Sequence, residues 1–232
     1  MEKEKVMKGM RVLIIAGAIG CLTATLSAQV YYEDDYGEGL VNNLSINNGD
    51  YYWYVDADEA SVIDITGGTV EELWTFESST ADIGGGESWR LYALDDSTVN
   101  VTGGEVWELF AEDQSSVSIT GGEVEWLSAS YDSEVIISEG QITNLWAQDS
   151  SVVDITGYDL SYNPEFQWDS IRGEWEGLLT GLWHDETPLS IITWDAGTYD
   201  HLTLNDLGQP SVPEPATLLL LGLGALVLRR KA

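Results

Sequence analysis

Val99-Asn100-Val101-Thr102-Gly103-Gly104-Glu105-Val106-Trp107-Glu108-Leu109-Phe110-Ala111 decides the fold, because its pattern returns every eighteen residues. Ile65-Thr66-Gly67-Gly68, Ile119-Thr120-Gly121-Gly122 and Ile155-Thr156-Gly157 repeat its center, with Ile83-Gly84-Gly85-Gly86 and Ile137-Ser138-Glu139-Gly140 as degenerate copies. The first positions, 65, 83, 101, 119, 137 and 155, keep a constant step. An earlier copy, Ile46-Asn47-Asn48-Gly49, fits with one residue inserted after it. A fixed period of this kind is the mark of a solenoid and outranks any local propensity.

The other columns keep the step. Two residues before the first position stand Ile63, Ala81, Val99, Val117, Val135 and Val153; five after it come Val70, Ser88, Val106, Val124, Ile142 and Leu160. Leu73, Leu91, Leu109, Leu127 and Leu145 follow, and two further on Thr75, Ala93, Ala111, Ala129 and Ala147. Ser61, Ser79, Ser97, Ser115, Ser133 and Ser151 mark a polar corner. Apolar residues alternate within a coil, as in strands. Gly-Gly supplies positive φ at one corner, Asp-Ser or Ser-Ser turns another, and the step of three from Val106 to Leu109 implies a third bend. The reading is all-β: a parallel β-helix of 18-residue coils, three short strands each, with a narrow core and no lumen. Each coil buries only about five side chains, so stability comes from stacking.

Eighteen is three hexapeptides, which suits a left-handed helix, yet apolar positions do not recur every six residues. The Ile-Thr-Gly-Gly coil resembles those of right-handed β-helical surface proteins, autotransporter passengers included, and that resemblance favors a right-handed solenoid. The repeat ends at Tyr158. Residues 158–211, with the alternating run Leu189 to Trp194 and His201-Leu202-Thr203-Leu204, read as a β-rich cap that covers unpaired strand edges. Acidic and aromatic Tyr31 to Gly39 begin the opposite cap, residues 29–43, and the coils occupy 44–157.

Both termini read as addresses. A basic start, an apolar run from Val12 to Leu26 and Ser27-Ala28-Gln29 form a signal peptide over residues 1–28, cut after Ala28. Cleavage there removes Cys21, the sole cysteine, and leaves a chain without disulfides. At the other end Val212-Pro213-Glu214-Pro215 precedes Ala216 to Leu228 and Arg229-Arg230-Lys231. A helix over those thirteen residues covers about 20 Å, a short membrane span, and its cationic end stays cytoplasmic. Residues 212–232 resemble a PEP-CTERM sorting signal. The resemblance implies export to the cell envelope or beyond and processing by an exosortase-type membrane peptidase. It also implies association with exopolysaccharide or biofilm matrix.

Forty acidic residues oppose nine basic ones. All but Glu2, Glu4 and Glu214 of the forty lie between Gln29 and Ser211, where the only cations are Arg90 and Arg172, so this stretch carries −35. Such a field repels phosphate backbones and excludes nucleic acid as a partner. An apolar content of 44% with ten Trp argues against disorder.

Two outward columns are candidate sites. Glu59, Glu77, Asp95, Asp113, Tyr131 and Asp149 form a carboxylate ridge. Charges one rung apart, about 4.8 Å, repel by roughly 1 kcal/mol in water. Either Ca²⁺ neutralizes Glu77, Asp95, Asp113 and Asp149, hard oxygen ligands that suit it, or the ridge is a solvated corner. The Gly-Gly-x-Gly-x-Asp nonapeptide of calcium rolls is missing. The second column is Trp74, Tyr92, Phe110 and Trp146, interrupted by Ser128, with Trp53, Trp89 and Trp107 in another. Lying between the Leu and Ala columns, the former points outward: a glycan-binding face, or a ladder that shields backbone.

Catalysis has little support. A β-helical lyase needs a cation as base or to neutralize uronate, and only Arg90 and Arg172 are offered. A glycosidase needs two carboxylates about 5–10 Å apart, but among so many carboxylates pairs such as Asp95-Asp96 carry no weight. His184 and His201 lie in the cap with no cysteine or Gly-x-Ser-x-Gly nearby. No organic cofactor is implied. The expectation is an exported, non-catalytic surface or matrix solenoid; the alternatives are a carbohydrate-binding module and a polysaccharide-degrading β-helix enzyme.

Overall fold

Residues 29–34, 37–170, 174–194 and 197–208 are described by the structure, a computed structural model. Neither the signal peptide expected at 1–28 nor the sorting segment at 212–232 falls among them. In chain order the strands are β1 (Gln29–Asp34), β2 (Gly37–Val41), β3 (Asn43–Ile46), β4 (Tyr51–Asp58), β5 (Val62–Thr75), β6 (Thr80–Ala93) and β7 (Thr98–Val101). They continue as β8 (Glu105–Ala111), β9 (Ser116–Ala129), β10 (Glu134–Ala147), β11 (Val152–Asp169), β12 (Glu174–Leu182), β13 (Pro188–Thr193) and β14 (Leu202–Asp206). The only helix among the described residues is a 3₁₀ turn, Thr198–His201. The architecture is an all-β solenoid of about six turns.

The eighteen-residue step becomes a parallel register. Ala81 pairs with Val99, Val99 with Val117 and Val117 with Val135; Leu91, Leu109, Leu127 and Leu145 lie in one line on the third strand of each coil. Ile46 pairs with Ile65, nineteen residues on, while Tyr51 pairs with Thr69, eighteen on. The extra residue is absorbed at the Asn47 to Asp50 corner, where Gly49 has φ +94°. Val99, Val101, Val106, Leu109 and Ala111 of the central coil are fully buried. Burying Leu109 alone is worth roughly 1.5–3 kcal/mol. Because its neighbors above and below supply the burial, coils stabilize each other and none stands alone.

Three corners close each coil. At the Gly-Gly corner the two glycines have different reasons. Gly104 and Gly122 have φ +77°, the conformation the sequence reading assigned to both members of the pair. Gly103 does not; it is small because a Cβ there would stand 2.6 Å from the carbonyl oxygen of Gly84, one rung below. The second corner is a β-turn: the Ser97 N–H donates to the Leu94 carbonyl at 3.1 Å, and Ser79, Ser115 and Ser151 repeat the bond. The third corner falls at Trp89 and Trp107, which the ladder skips: Ser88 pairs with Val106 and Arg90 with Glu108, with no pairing between.

The serine column corrects its reading as a polar corner. Ser61, Ser79, Ser97, Ser115, Ser133 and Ser151 are all buried, with side chains in the core just past the turn. The hydroxyls of Ser61, Ser79, Ser115 and Ser133 find no hydrogen-bond partner, whereas Ser97 meets Thr75 Oγ1 at 3.1 Å.

Beyond Gly157 the chain leaves the stack and returns. β11 runs on into an antiparallel hairpin with β12, and β13 then pairs antiparallel with β12. β13 also lies parallel to β10, with Ile192 beside Asn144, and β14 lies parallel to β11, with Leu202 beside Val153 and Leu204 beside Ile155. Parallel stacking therefore resumes at Ile192 and Thr193 and again at Leu202–Asp206, after the internal repeat has faded from the sequence. At the other end β1 pairs antiparallel with β2 and with β4, and Val30 is buried.

Candidate functional site

The outward column between the buried Leu and Ala residues is half-buried instead of open. Trp74 stacks on Tyr92 at 3.9 Å between ring centroids and 18° between planes, and Tyr92 on Phe110 at 4.8 Å and 9°. With spacings at or below the rung height, these three rings cover on one another faces that a sugar would need. Ser128 is buried and breaks the run before Trp146. The column forms a stabilizing ladder on a flat strand face.

The open rings are those of the other column. Trp53, Trp89 and Trp107 expose 46%, 53% and 48% of their surfaces, because they sit at the third corner, where the chain turns over a convex edge. Trp89 and Trp107 lie 6.2 Å apart with planes tilted by 32°, and Trp89 Nε1 donates to Glu87 at 3.0 Å. In the sequence this column stands beside the Trp74 column with nothing in the alternation to rank it first. The skipped pairing at the step of three was the available signal, since a corner residue projects farther than a strand residue.

Beside these rings the next column stacks Glu72, Arg90 and Glu108 in register. Arg90 Nη1 donates to Glu72 at 3.1 Å and Arg90 Nε to Glu108 at 3.0 Å. Glu108 chiefly raises the guanidinium pKa, through its hydrogen bond and charge. All three side chains are well exposed, so each pair stabilizes the fold by only about 0.2–1 kcal/mol. Their main effect is to hold the guanidinium between carboxylates of the two adjoining rungs. Glu71, Glu72, Trp89, Arg90, Trp107 and Glu108 enclose an open cleft of about 340 Å³. Chemically it offers two indole faces, carboxylate acceptors and one fixed cationic donor set. Arg90, bonded to both Glu72 and Glu108, leaves their remaining carboxylate lone pairs as acceptors toward the cleft.

The carboxylate ridge follows the β-turn. Glu59, Glu77, Asp95, Asp113, Tyr131 and Asp149 all have left-handed φ, between 50° and 61°. Backbone bonds link the turns: Gln114 N–H donates to the Asp95 carbonyl at 3.0 Å and Asp132 N–H to the Asp113 carbonyl at 2.8 Å. Asp58 most strongly, then burial, then Glu59 and Asp95 hold the Glu77 carboxyl above its ordinary pKa. Glu77, Asp95 and Asp113 contribute one carboxylate per rung. Among the described residues no group of three or more His, Cys, Asp or Glu is placed to hold a metal ion. His201 is tied through Nδ1 to the Ser151 carbonyl at 3.1 Å, and Arg172 lies outside the described residues.

Comparison with known families finds the PEP-CTERM protein-sorting motif at residues 211–231. The match covers the Val212-Pro213-Glu214-Pro215 box, the apolar run and Arg229-Arg230-Lys231. The motif implies export, a membrane-anchored C-terminal sorting signal and processing by an exosortase, a membrane protease. Comparisons with curated proteins and with solved structures give no significant match. No helix of the described residues is long and apolar enough to cross a membrane, and the span expected at 216–228 lies outside them.

Proposed function

We propose that this chain is a non-catalytic β-solenoid of the cell surface or extracellular matrix, delivered through its C-terminal signal and associated there with exopolysaccharide. The observation that carries the reading is the sorting motif at residues 211–231 placed behind a rigid repeat body. A solenoid suits such a role because stacked coils give a long surface at low contact order and need no disulfides. The exposed tryptophans and the Arg90 fork supply sugar-binding chemistry. Right-handed winding and removal of residues 1–28 by a signal peptidase belong to the same reading.

The test is to delete residues 212–232 and follow the protein by fractionation of the producing cells. The truncated chain is expected to leave the membrane and envelope fraction and to appear in the medium or periplasm. An unchanged distribution overturns the sorting assignment.

A further inference from the structure

The geometry points to the Trp89–Trp107 corner as a binding site for an amine-bearing polysaccharide, a polymer of de-N-acetylated amino sugars. This rests on the polysaccharide reading above and names its ligand. Three observations combine. First, two neighboring indoles stand half open at the convex corner, 6.2 Å apart, so consecutive rungs present consecutive ring faces to an extended chain. Sugar rings carry their C–H bonds on one face, and tryptophan is the side chain best suited to cover it.

Second, the cleft is negative. Glu71, Glu72 and Glu108 line it against the single cation Arg90, and Glu87 is bonded to the Trp89 indole. An ammonium on the sugar meets carboxylate oxygens and the indole face together, two attractions that a neutral acetamide or hydroxyl lacks. Third, the surroundings select in the same direction. The stretch between Gln29 and Ser211 carries −35, which repels uronate and sulfate polymers before contact and draws a polycation in. Arg90, held at 3.1 Å and 3.0 Å by Glu72 and Glu108, is left to orient hydroxyl oxygens and not to bind an anion.

Three tetrasaccharides test this on the full chain in mild detergent, read by tryptophan fluorescence and calorimetry. They are a β-1,4-glucosamine tetramer, its fully N-acetylated form and a uronate tetramer. The amine tetramer is expected to bind at least tenfold more tightly than the acetylated one, with no detectable binding of the uronate. The double variant Trp89→Ala/Trp107→Ala, with melting and circular dichroism unchanged, is expected to lose at least tenfold in affinity for the amine tetramer. Glu108→Gln should narrow the preference for amine over acetamide while leaving the acetylated tetramer's affinity in place. Equal binding by the double variant and the parent would mean diffuse attraction to an acidic body and overturn the site. Equal affinity for amine and acetylated forms would overturn the amine assignment and leave the polysaccharide reading standing. Failure of all three tetramers at millimolar concentration would overturn both.

Discussion

Two alanine substitutions in the same signature are expected to have opposite effects. Gly84 and Gly103 are adjacent positions of the Ile-x-Gly-Gly corner on successive rungs, and neither has positive φ. A Cβ on Gly84 meets nothing nearer than Thr102 Oγ1 at 3.7 Å. Gly84→Ala therefore restricts the unfolded chain at no native cost and stabilizes by about 0.4–1 kcal/mol. At Gly103 the new Cβ lies 2.6 Å from the Gly84 oxygen and 3.2 Å from its carbon, both backbone atoms fixed in the ladder. Rungs must part there, straining the Thr102 N–H bond to the Ile83 carbonyl, 2.8 Å long. Forced overpacking costs about 1–3 kcal/mol, so the two variants should differ by roughly 2–3 kcal/mol. For a body of this size that is about 5–10 °C in midpoint. Thermal and urea melts of the full chain in detergent, followed by far-ultraviolet circular dichroism, measure it. Repeat arrays depart from two-state behavior, so the comparison uses matched midpoints and not extrapolated free energies. Equal midpoints for Gly84→Ala and Gly103→Ala would refute the claim that backbone approach between rungs selects the first glycine.

Ser88→Val should raise the midpoint by the equivalent of about 1 kcal/mol in the same melts, because it removes a buried unpartnered hydroxyl and matches Val70 and Val106 on the rungs either side. Deleting residues 97–114, one whole coil, should preserve a cooperative fold, since Asp96 then meets Ser115 in the same turn; deleting nine residues, half a coil, should abolish it by bringing inward columns to the surface, as read by circular dichroism. Burial first, then Asp58, raises the Asp56 carboxyl to about 6, against an opposing bond from Tyr54. The folded pKa lies above the unfolded one, so the folded state binds the extra proton between about pH 4 and 6 and stability falls as pH rises through that window. Asp56→Asn should remove this slope and raise the pH 7.5 midpoint by the equivalent of about 2 kcal/mol after screening. Asp113→Gly relieves both left-handed strain and ridge repulsion, and its melt should rise by about 1 kcal/mol, most at low salt.

Much of the fold was legible because the period is a physical constraint. Valines eighteen apart must stack if each is to be dry, and Val99, Val117 and Val135 do. The inserted residue near Asn47 was legible for the same reason. The polar corner misled because serine's chemistry suggests solvent, whereas Ser97 and its counterparts are selected for size beside a tight turn. The exposed aromatic face was half legible. Alternation places both Trp74 and Trp89 outward, but alternation carries no curvature: on the flat face rings of successive rungs close on each other, and at the corner they spread.

Sequence alone determined the rung, its apolar inward columns, the acidic field and the sorting signal, since each depends on spacing or composition along the chain. Only the tertiary structure decided what depends on residues brought from afar. The bonds that fix Arg90 between Glu72 and Glu108, the return of Leu202 to Val153 after the hairpin, and the openness of Trp89 and Trp107 are of this kind. Their common cause is the stack, which sets rungs about 4.8 Å apart in space while leaving them eighteen or more residues apart in sequence.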